Sequence, residues 1–159
     1  MDRPIFRMAA NGLYEMEALC QYTGEDFSQL SSLRSTPLHY AVLGGNKEVV
    51  TYLLEKGALV NARNVYAESP LHWACKMGDA SIVRLLLLHG ASPNAIDSDG
   101  NTMLHWAAEY DHEEILLALL RVSLQCLFIR NSENQTAMQV AKNDNSQRAF
   151  CALLKASKR

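Results

Sequence analysis

The sequence predicts an all-α repeat protein in which each unit of about 33 residues contributes two helices. Similar short phrases begin at Thr36, Ser69 and Thr102 at equal intervals, and a related phrase begins at Thr136 after an interval one position longer. Each phrase carries a helix-start signal, and a second stretch with helical spacing of apolar residues follows it. A fixed period of this length is typical of stacked repeats. Counting back one period reaches Arg3, so five copies fill the chain.

The first helix of each copy, helix A, is predicted from its terminal residues. A threonine or serine hydroxyl can cap the first free amides of a helix, and in three copies a proline follows where its missing N–H costs nothing. Asn46 and Asp79 are predicted to cap the next helix in the same way. Glycines nine residues after the start are expected to end helix A in a left-handed conformation: Gly12, Gly45 and Gly78.

The second helix, helix B, is predicted from pairs of apolar residues at helical spacing. In the second copy these are Val49, Val50, Leu53 and Leu54. The third and fourth copies repeat the pattern within 82–87 and 115–120. In three copies a glycine follows and is expected to close the helix: Gly24, Gly57 and Gly90.

The phrase TPLHYA at 36–41 and the Gly-Ala pairs at 57–58 and 90–91, which lead to Asn61 and Asn94, resemble the ankyrin repeat. The resemblance covers nearly the whole chain. It implies a helix-turn-helix followed by a projecting hairpin in each repeat, stacked into a curved solenoid whose concave side binds other proteins. It also implies that the histidines of the repeated Leu-His pair brace turns by hydrogen bonding.

The resemblance places residues 1–159 in a single ankyrin-repeat domain. The expected repeats are about 2–34, 35–67, 68–100, 101–134 and 135–159. The first and last are expected to act as caps, since Glu17, Gln21 and Lys142 stand where other copies carry apolar residues. An array with both caps would be complete. Asn61 and Asn94 are expected to bond their own turns, and the resemblance leaves open that an asparaginyl hydroxylase modifies them.

Composition argues against several function classes. The chain is 48% apolar and 20% charged, which favours a folded soluble domain. Its net charge of −2 offers no basic field for nucleic acid. No apolar run approaches the ~20 residues of a membrane helix, and the first residues lack a signal-peptide core. The four cysteines lack CxxC spacing, so we expect no disulfide, zinc or other cofactor. Reduced thiols favour the cytoplasm or nucleus. We also expect a monomer.

One position of helix A varies while its neighbours stay constant. Four residues after the helix start, the three central copies carry Tyr40, Trp73 and Trp106, which we call the aromatic stripe. The resemblance to ankyrin repeats puts this position near the concave surface. Tyrosine and tryptophan are common at binding hot spots because they bury a large area with few rotatable bonds. The alternative is that each ring only fills space between repeats.

The resemblance directs two further sets of positions into the same groove, namely the ends of helices A and the hairpin tips. Together with the aromatic stripe they form the predicted partner-binding site: Tyr40, Leu43, Tyr66, Glu68, Trp73, Lys76, Met77, Asp99, Asn101, Trp106, Glu109 and Tyr110. Apolar anchors are expected at Met77 and Tyr110. An acidic rim for a basic or amide-rich peptide is expected at Glu68, Asp99, Glu109 and Asp144, unless these carboxylates are an ordinary solvated face.

The segment 122–134 interrupts the repeat pattern. It contains one residue more than the corresponding segments, and Ser123 replaces the glycine that would end helix B. Four apolar residues occupy a stretch where a polar hairpin is expected: Leu124, Leu127, Phe128 and Ile129. They are predicted to pack between the fourth and fifth repeats, and the alternative is an exposed apolar contact patch.

Catalysis is not expected from this pattern. The histidines of the Leu-His pairs recur once per repeat and therefore do not converge, and Cys75 and Cys151 occupy small apolar positions typical of buried thiols. The sequence therefore predicts a non-catalytic protein-protein interaction module. The resemblance leaves open a substrate-recruiting or regulatory domain of a larger enzyme, such as an ankyrin-containing palmitoyltransferase or an integrin-linked pseudokinase. It also leaves open a free-standing ankyrin inhibitor of cyclin-dependent kinases.

Overall fold

Pairs of short helices repeat along the chain in the computed structural model, which describes residues 4–11, 30–141, 147, 150 and 151. Eight α-helices lie in this part of the chain: α1 (Pro4–Asn11), α2 (Pro37–Leu43), α3 (Lys47–Glu55), α4 (Pro70–Met77), α5 (Ala80–Leu88), α6 (Met103–Glu109), α7 (Glu113–Val122) and α8 (Ala137–Val140). A short 3₁₀ helix spans Gln125–Phe128. The predicted all-α fold class is confirmed.

The helices form two stacked rows. Helices A (α1, α2, α4, α6 and α8) pack each against the next, and helices B (α3, α5 and α7) form a second row behind them. The predicted apolar pairs of helix B lie in the core between the rows, with Val49, Val50 and Leu53 fully buried and only Leu87 of the third copy partly exposed. Burying a side chain of this size contributes about 1.5–3 kcal/mol. The stacking of helix pairs is therefore what stabilises the fold.

Glycines end the helices where the sequence predicts them. Gly45 and Gly78 follow helices A with φ of 68° and 83°, and Gly57 and Gly90 follow helices B with φ of 86° and 84°. This left-handed region is strained for residues with a Cβ atom. The remaining terminal and capping predictions lie outside the described residues: Gly12, Glu17, Gln21, Gly24 and Lys142. The repeat boundaries stay a prediction.

The residue before helix B acts in two different ways. Asp79 caps α5 as predicted, accepting hydrogen bonds of 3.0 Å from two backbone N–H groups in its first turn. Asn46 is the N-cap residue of α3 as predicted, but its side chain makes no capping hydrogen bond, and its amide donates to the Ala10 carbonyl at 3.1 Å instead. His112 occupies the equivalent place before α7, and its Nε2 lies 3.2 Å from the Lys76 carbonyl. Asn46 and His112 each bond the end of helix A of the preceding repeat. These bonds join successive repeats.

Hairpin turns project between helix B and the next helix A. In three of them an Asn or Asp side chain accepts backbone N–H groups two and four residues ahead: Asn64, Asp97 and Asn131. Neighbouring tips also bond each other, since Val65 N–H donates to the Leu33 carbonyl at 2.9 Å and the next two tips repeat this bond. The hairpins therefore form one continuous ladder along the stack.

Asn61 and Asn94 bond the following repeat, which corrects the expectation that they bond their own turns. The Asn61 amide donates to the Gly90 carbonyl at 3.0 Å and accepts from Ser92 N–H at 2.8 Å. Asn94 Oδ1 accepts from the Ser123 hydroxyl at 2.6 Å. Both asparagines thus connect one loop to the loop of the next repeat.

The irregular segment is partly packed and partly exposed. Leu127 and Ile129 pack against the core as predicted, and the buried Cys126 thiol lies 3.1 Å from Asn94 Oδ1. Phe128, by contrast, is 77% exposed, and Leu124 is also exposed. Each of the two sequence interpretations therefore holds for half of the apolar residues in this segment.

Candidate partner-binding surface

Three buried histidines hold the backbone from which the candidate surface projects. His39 Nδ1 accepts a hydrogen bond from Thr36 N–H at 3.1 Å, and its Nε2 donates to the Glu68 carbonyl at 3.2 Å. His105 makes the same two contacts with Thr102 N–H and the Gln135 carbonyl. Because Nδ1 accepts a backbone proton, the ring must be neutral with its proton on Nε2. His39 and His105 therefore brace turns by hydrogen bonding, as the resemblance to ankyrin repeats implies.

The third histidine, His72, accepts from Ser69 N–H at 2.9 Å. Its buried Nε2 makes no hydrogen bond of ordinary geometry among the described residues, although the Asn101 backbone lies on that side and offsets part of the effect of burial on the pKa. Burial lowers the pKa of both His39 and His72 from 6.5 to about 4, and it lowers the pKa of His105 as well. All three rings are therefore neutral near pH 7 and are committed to the scaffold.

The aromatic stripe starts as a row of rings in edge contact. The Tyr40 and Trp73 ring centroids lie 6.0 Å apart at an interplanar angle of 75°, and Phe6 of α1 lies 5.2 Å from Tyr40. The next step differs, because the Lys76 ammonium lies over the Trp106 ring at 4.9 Å from its centroid. The electron-rich face of an aromatic ring attracts a cation in this position. The stripe is therefore covered by a basic side chain at Trp106.

Each tryptophan of the stripe is oriented by a carboxylate. The Trp73 Nε1–H donates to Glu68 Oε2 at 2.8 Å, and the Trp106 Nε1–H donates to Asp97 Oδ2 at 2.9 Å. Both rings are half-buried, so they pack between repeats and still present one part to solvent. The two interpretations of these tryptophans, packing and binding, are thus compatible in the geometry.

Asp97 is a buried residue that the sequence analysis missed, together with its counterparts in the other hairpins. It accepts two backbone N–H groups of its own hairpin in addition to the indole of Trp106. A signal existed in the sequence, because Asn64, Asp97 and Asn131 recur at the same intervals as the helix starts. These polar residues shape the surface from beneath.

A small apolar cavity of about 170 Å³ lies at the ends of α2 and α4. Five of the predicted site residues line it: Leu43, Glu68, Trp73, Lys76 and Met77. Leu43 and Met77 are 45% and 49% exposed, so both present apolar surface at the cavity. We call this cavity the apolar pocket.

A second cavity of about 360 Å³ lies at α6, α8 and the hairpins that precede them, and its lining is mostly polar. It is lined by Asn101, Glu109, Asn131, Glu133, Gln135, Gln139 and Val140. Only the first two belong to the predicted site. We call it the polar pocket.

Three further predicted residues lie at the end of α6 and at two hairpin tips. Tyr110 stacks on Trp106 with centroids 6.0 Å apart and an interplanar angle of 17°. Tyr66 and Asp99 lie at neighbouring hairpin tips, and both are exposed. The predicted residues lie on helices A and on the hairpins, and we call the side of the stack that these elements form the inner surface.

The exposed carboxylates of the inner surface are not all those predicted for the acidic rim. Glu68 is half-buried and bonds Trp73 and Asn64, so it acts chiefly as a support for the ring. Asp99 and Glu109 are exposed, and Glu133 joins Glu109 at the polar pocket. Asp144 lies outside the described residues.

The cysteines differ in their environments. Cys75 is fully buried, and burial raises the pKa of its thiol strongly, as expected for a structural residue. The prediction for Cys151 is wrong, because this residue is exposed. Within the described residues, no group of His, Cys, Asp or Glu side chains is arranged to hold a metal ion, and no helix there combines the length and apolar character needed to cross a bilayer.

Stacked helix pairs with a ladder of projecting hairpins define a repeat protein of the solenoid class. The sequence matches the ankyrin repeat family in three copies, at residues 5–97, 65–128 and 87–159. The chain therefore belongs to the ankyrin repeat family, whose members generally serve as protein-protein interaction modules and are typically non-catalytic. No curated protein matches the sequence.

Proposed function

We propose that the chain binds an extended peptide segment of a partner protein along its inner surface. The observation that carries this proposal is the apolar pocket, where Leu43 and Met77 are about half exposed beside Trp73. Exposed apolar side chains next to a large ring, at positions that vary between repeats, are typical of binding anchors.

The aromatic side chains of the inner surface are held in place by contacts within the protein itself. Hydrogen bonds to Glu68 and Asp97 hold the two indole rings, and stacking holds Tyr110 against Trp106. A surface whose side chains are already ordered loses little conformational entropy on binding. This supports recognition by a preformed site.

The two pockets differ in chemistry and therefore favour different ligand side chains. The apolar pocket has the size for one aliphatic side chain. The polar pocket presents the carboxylates of Glu109 and Glu133 together with side-chain amides, which favours a lysine, arginine or glutamine of the ligand.

The distance between the pockets sets a spacing in the ligand. The apolar pocket lies at α2 and α4 and the polar pocket at α6 and α8, so the pockets are two helix-to-helix steps apart. Packed helices lie about 8–10 Å apart, which gives about 16–20 Å. An extended chain advances about 3.3 Å per residue, so the two ligand side chains should be about five or six residues apart.

A randomised library of displayed 12-residue peptides tests the proposal. Peptides selected on the intact protein should carry an aliphatic residue and, about five or six positions away, a basic or amide residue. Met77→Glu should weaken their binding at least tenfold by placing a charge in the apolar pocket, and Glu133→Lys should weaken it by repelling the basic residue.

Leu59→Glu is the matched control for Met77→Glu. Leu59 is also exposed, but it does not line either pocket, so its substitution should leave binding unchanged. Equal binding by Met77→Glu and the intact protein would place recognition elsewhere. Circular dichroism of each variant confirms that its helices are intact.

A further inference from the structure

A second unassigned surface lies on the opposite row of helices. A groove of about 710 Å³ runs between α5 and α7, and apolar side chains dominate its lining. Leu87 and Leu88 of α5 form one wall, and Leu117, Ala118 and Val122 of α7 form the other. We call it the outer groove.

The apolar character of the outer groove is not required by the repeat. Leu88 is 83% exposed. One period earlier the same position carries Glu55, and one period later it carries Arg121, and both of these are exposed as well. Charged residues at the solvent-facing position are therefore sufficient for this fold, and the scaffold does not explain a leucine at 88.

The outer groove has two different ends. The exposed Arg84–Glu114 ion pair bridges α5 and α7 at one end of the groove, where a polar cavity lined by residues 77–81 adjoins it. Arg121 lines the other end, and within the described part of the chain no carboxylate forms a salt bridge with it. The groove is therefore apolar along its length with the positive charge of Arg121 at one end.

The walls of the groove favour a helical ligand over an extended one. Both walls are α-helices, whose backbone groups already bond within each helix, so they offer an extended peptide no backbone partners. A ligand helix satisfies its own backbone and can bury one apolar face in the groove. From Glu114 to Val122 the groove is about 12 Å long at about 1.5 Å per residue, which is about two helical turns.

We propose that the outer groove binds an amphipathic helix of a partner protein. The helix presents apolar residues at i, i+3 or i+4, and i+7, and a glutamate or aspartate about one turn beyond them that pairs with Arg121. Charge complementarity fixes its direction, because the two charges at the opposite end of the groove, Arg84 and Glu114, already pair with each other. This site is separate from the inner surface and does not depend on the function proposed there.

A displayed library of 16-residue helices, randomised on one face, is the probe. Helices are selected on the intact protein and then tested individually by fluorescence anisotropy. We expect the enriched sequences to share the three apolar positions and the acidic residue. Leu88→Glu should weaken their binding at least tenfold, while Leu33→Glu, at an exposed leucine on a hairpin tip, should leave it unchanged.

Charge reversal tests the direction of binding. Arg121→Glu should weaken the enriched helices and should favour versions in which lysine replaces the acidic residue. Leu43→Glu at the inner surface should have no effect on these helices, because Leu43 lines the apolar pocket and not the outer groove, so the two sites can fail independently.

Three results would overturn the proposal. Enriched helices that bind Leu88→Glu as well as the intact protein would locate their site elsewhere. An absence of enrichment, or enrichment without an acidic residue, would contradict the assigned ligand chemistry. A dimer in sedimentation that Leu88→Glu abolishes would make a second copy of the chain the occupant of the groove.

Discussion

Protonation of the buried histidines should make the stability of this protein strongly dependent on pH. The pKa of His39 and of His72 is about 4 in the folded state and 6.5 in the unfolded chain. As pH falls below 6.5, the unfolded state binds protons that the folded state does not bind. The free energy of unfolding therefore falls. The loss ends near pH 4, where the folded protein also takes up the protons.

The size of the effect follows from these values. One pH unit corresponds to about 1.4 kcal/mol for each group, so lowering the pH from 7 to 5 removes about 2 kcal/mol per histidine. His39 and His72 together lose about 4 kcal/mol, and the lowered pKa of His105 adds in the same direction. This is a large share of the roughly 5–15 kcal/mol that stabilises a typical domain.

The chain provides its own control substitution. Gln139 stands in the place of the histidine in the last described helix A, where its Oε1 accepts from Thr136 N–H at 2.9 Å. Glutamine thus keeps the brace without a titrating ring. The double variant His39→Gln/His72→Gln should be about 1–2 kcal/mol less stable at pH 7, because His39 loses its bond to the Glu68 carbonyl.

Urea unfolding followed by circular dichroism at pH 7 and pH 5 measures both states. The intact protein should lose at least about 4 kcal/mol between the two pH values, and the double variant should lose about 4 kcal/mol less than the intact protein does. Equal losses in the two proteins would show that carboxylates or other groups control acid stability. The buried histidines would then not be the groups that set the acid stability of the fold.

Two further predictions concern single residues. Gly78→Ala should be more destabilising than Gly57→Ala: both glycines have φ near 85°, but a Cβ at 78 would lie 2.4 Å from the His112 ring, whereas nothing lies within 4 Å at 57. Urea unfolding should show a loss of about 1 kcal/mol for Gly57→Ala and a larger loss for Gly78→Ala; equal losses would mean that the ring moves aside. In thiol labelling followed by mass spectrometry at pH 7.5, Cys151 should react within minutes and Cys75 only on unfolding, because Cys75 is buried. Labelling of both at one rate would contradict the burial.

The features inside one repeat could be predicted from the sequence. Helix starts at Thr36 and Ser69, glycine ends at Gly45 and Gly78, and the buried apolar pairs of helix B all depend on local spacing and backbone preference. The fixed period presents these signals several times along the chain, so chance matches are improbable.

The features that join one repeat to the next could not be predicted in the same way. Asn46 and Asp79 occupy the same position, but Asn46 bonds the preceding helix A and Asp79 bonds its own helix. Which bond forms depends on whether the side chain can donate to a carbonyl of another repeat. The partner of Asn61 differs from expectation for the same reason, because the Gly90 carbonyl belongs to the next repeat and is brought there by packing rather than by local pattern.

Packing and the proposed binding role use different atoms of Trp73. Packing and orientation use the indole N–H and the buried edge of Trp73, because Glu68 accepts from that N–H. Binding needs only the exposed part of the ring beside Met77. A Trp73→Ala variant removes both contributions at once and cannot separate them, whereas Met77→Glu changes the exposed part of the pocket alone. Substitutions at exposed positions that differ between repeats, such as Met77 and Leu88, are therefore the ones that distinguish a binding role from a structural one.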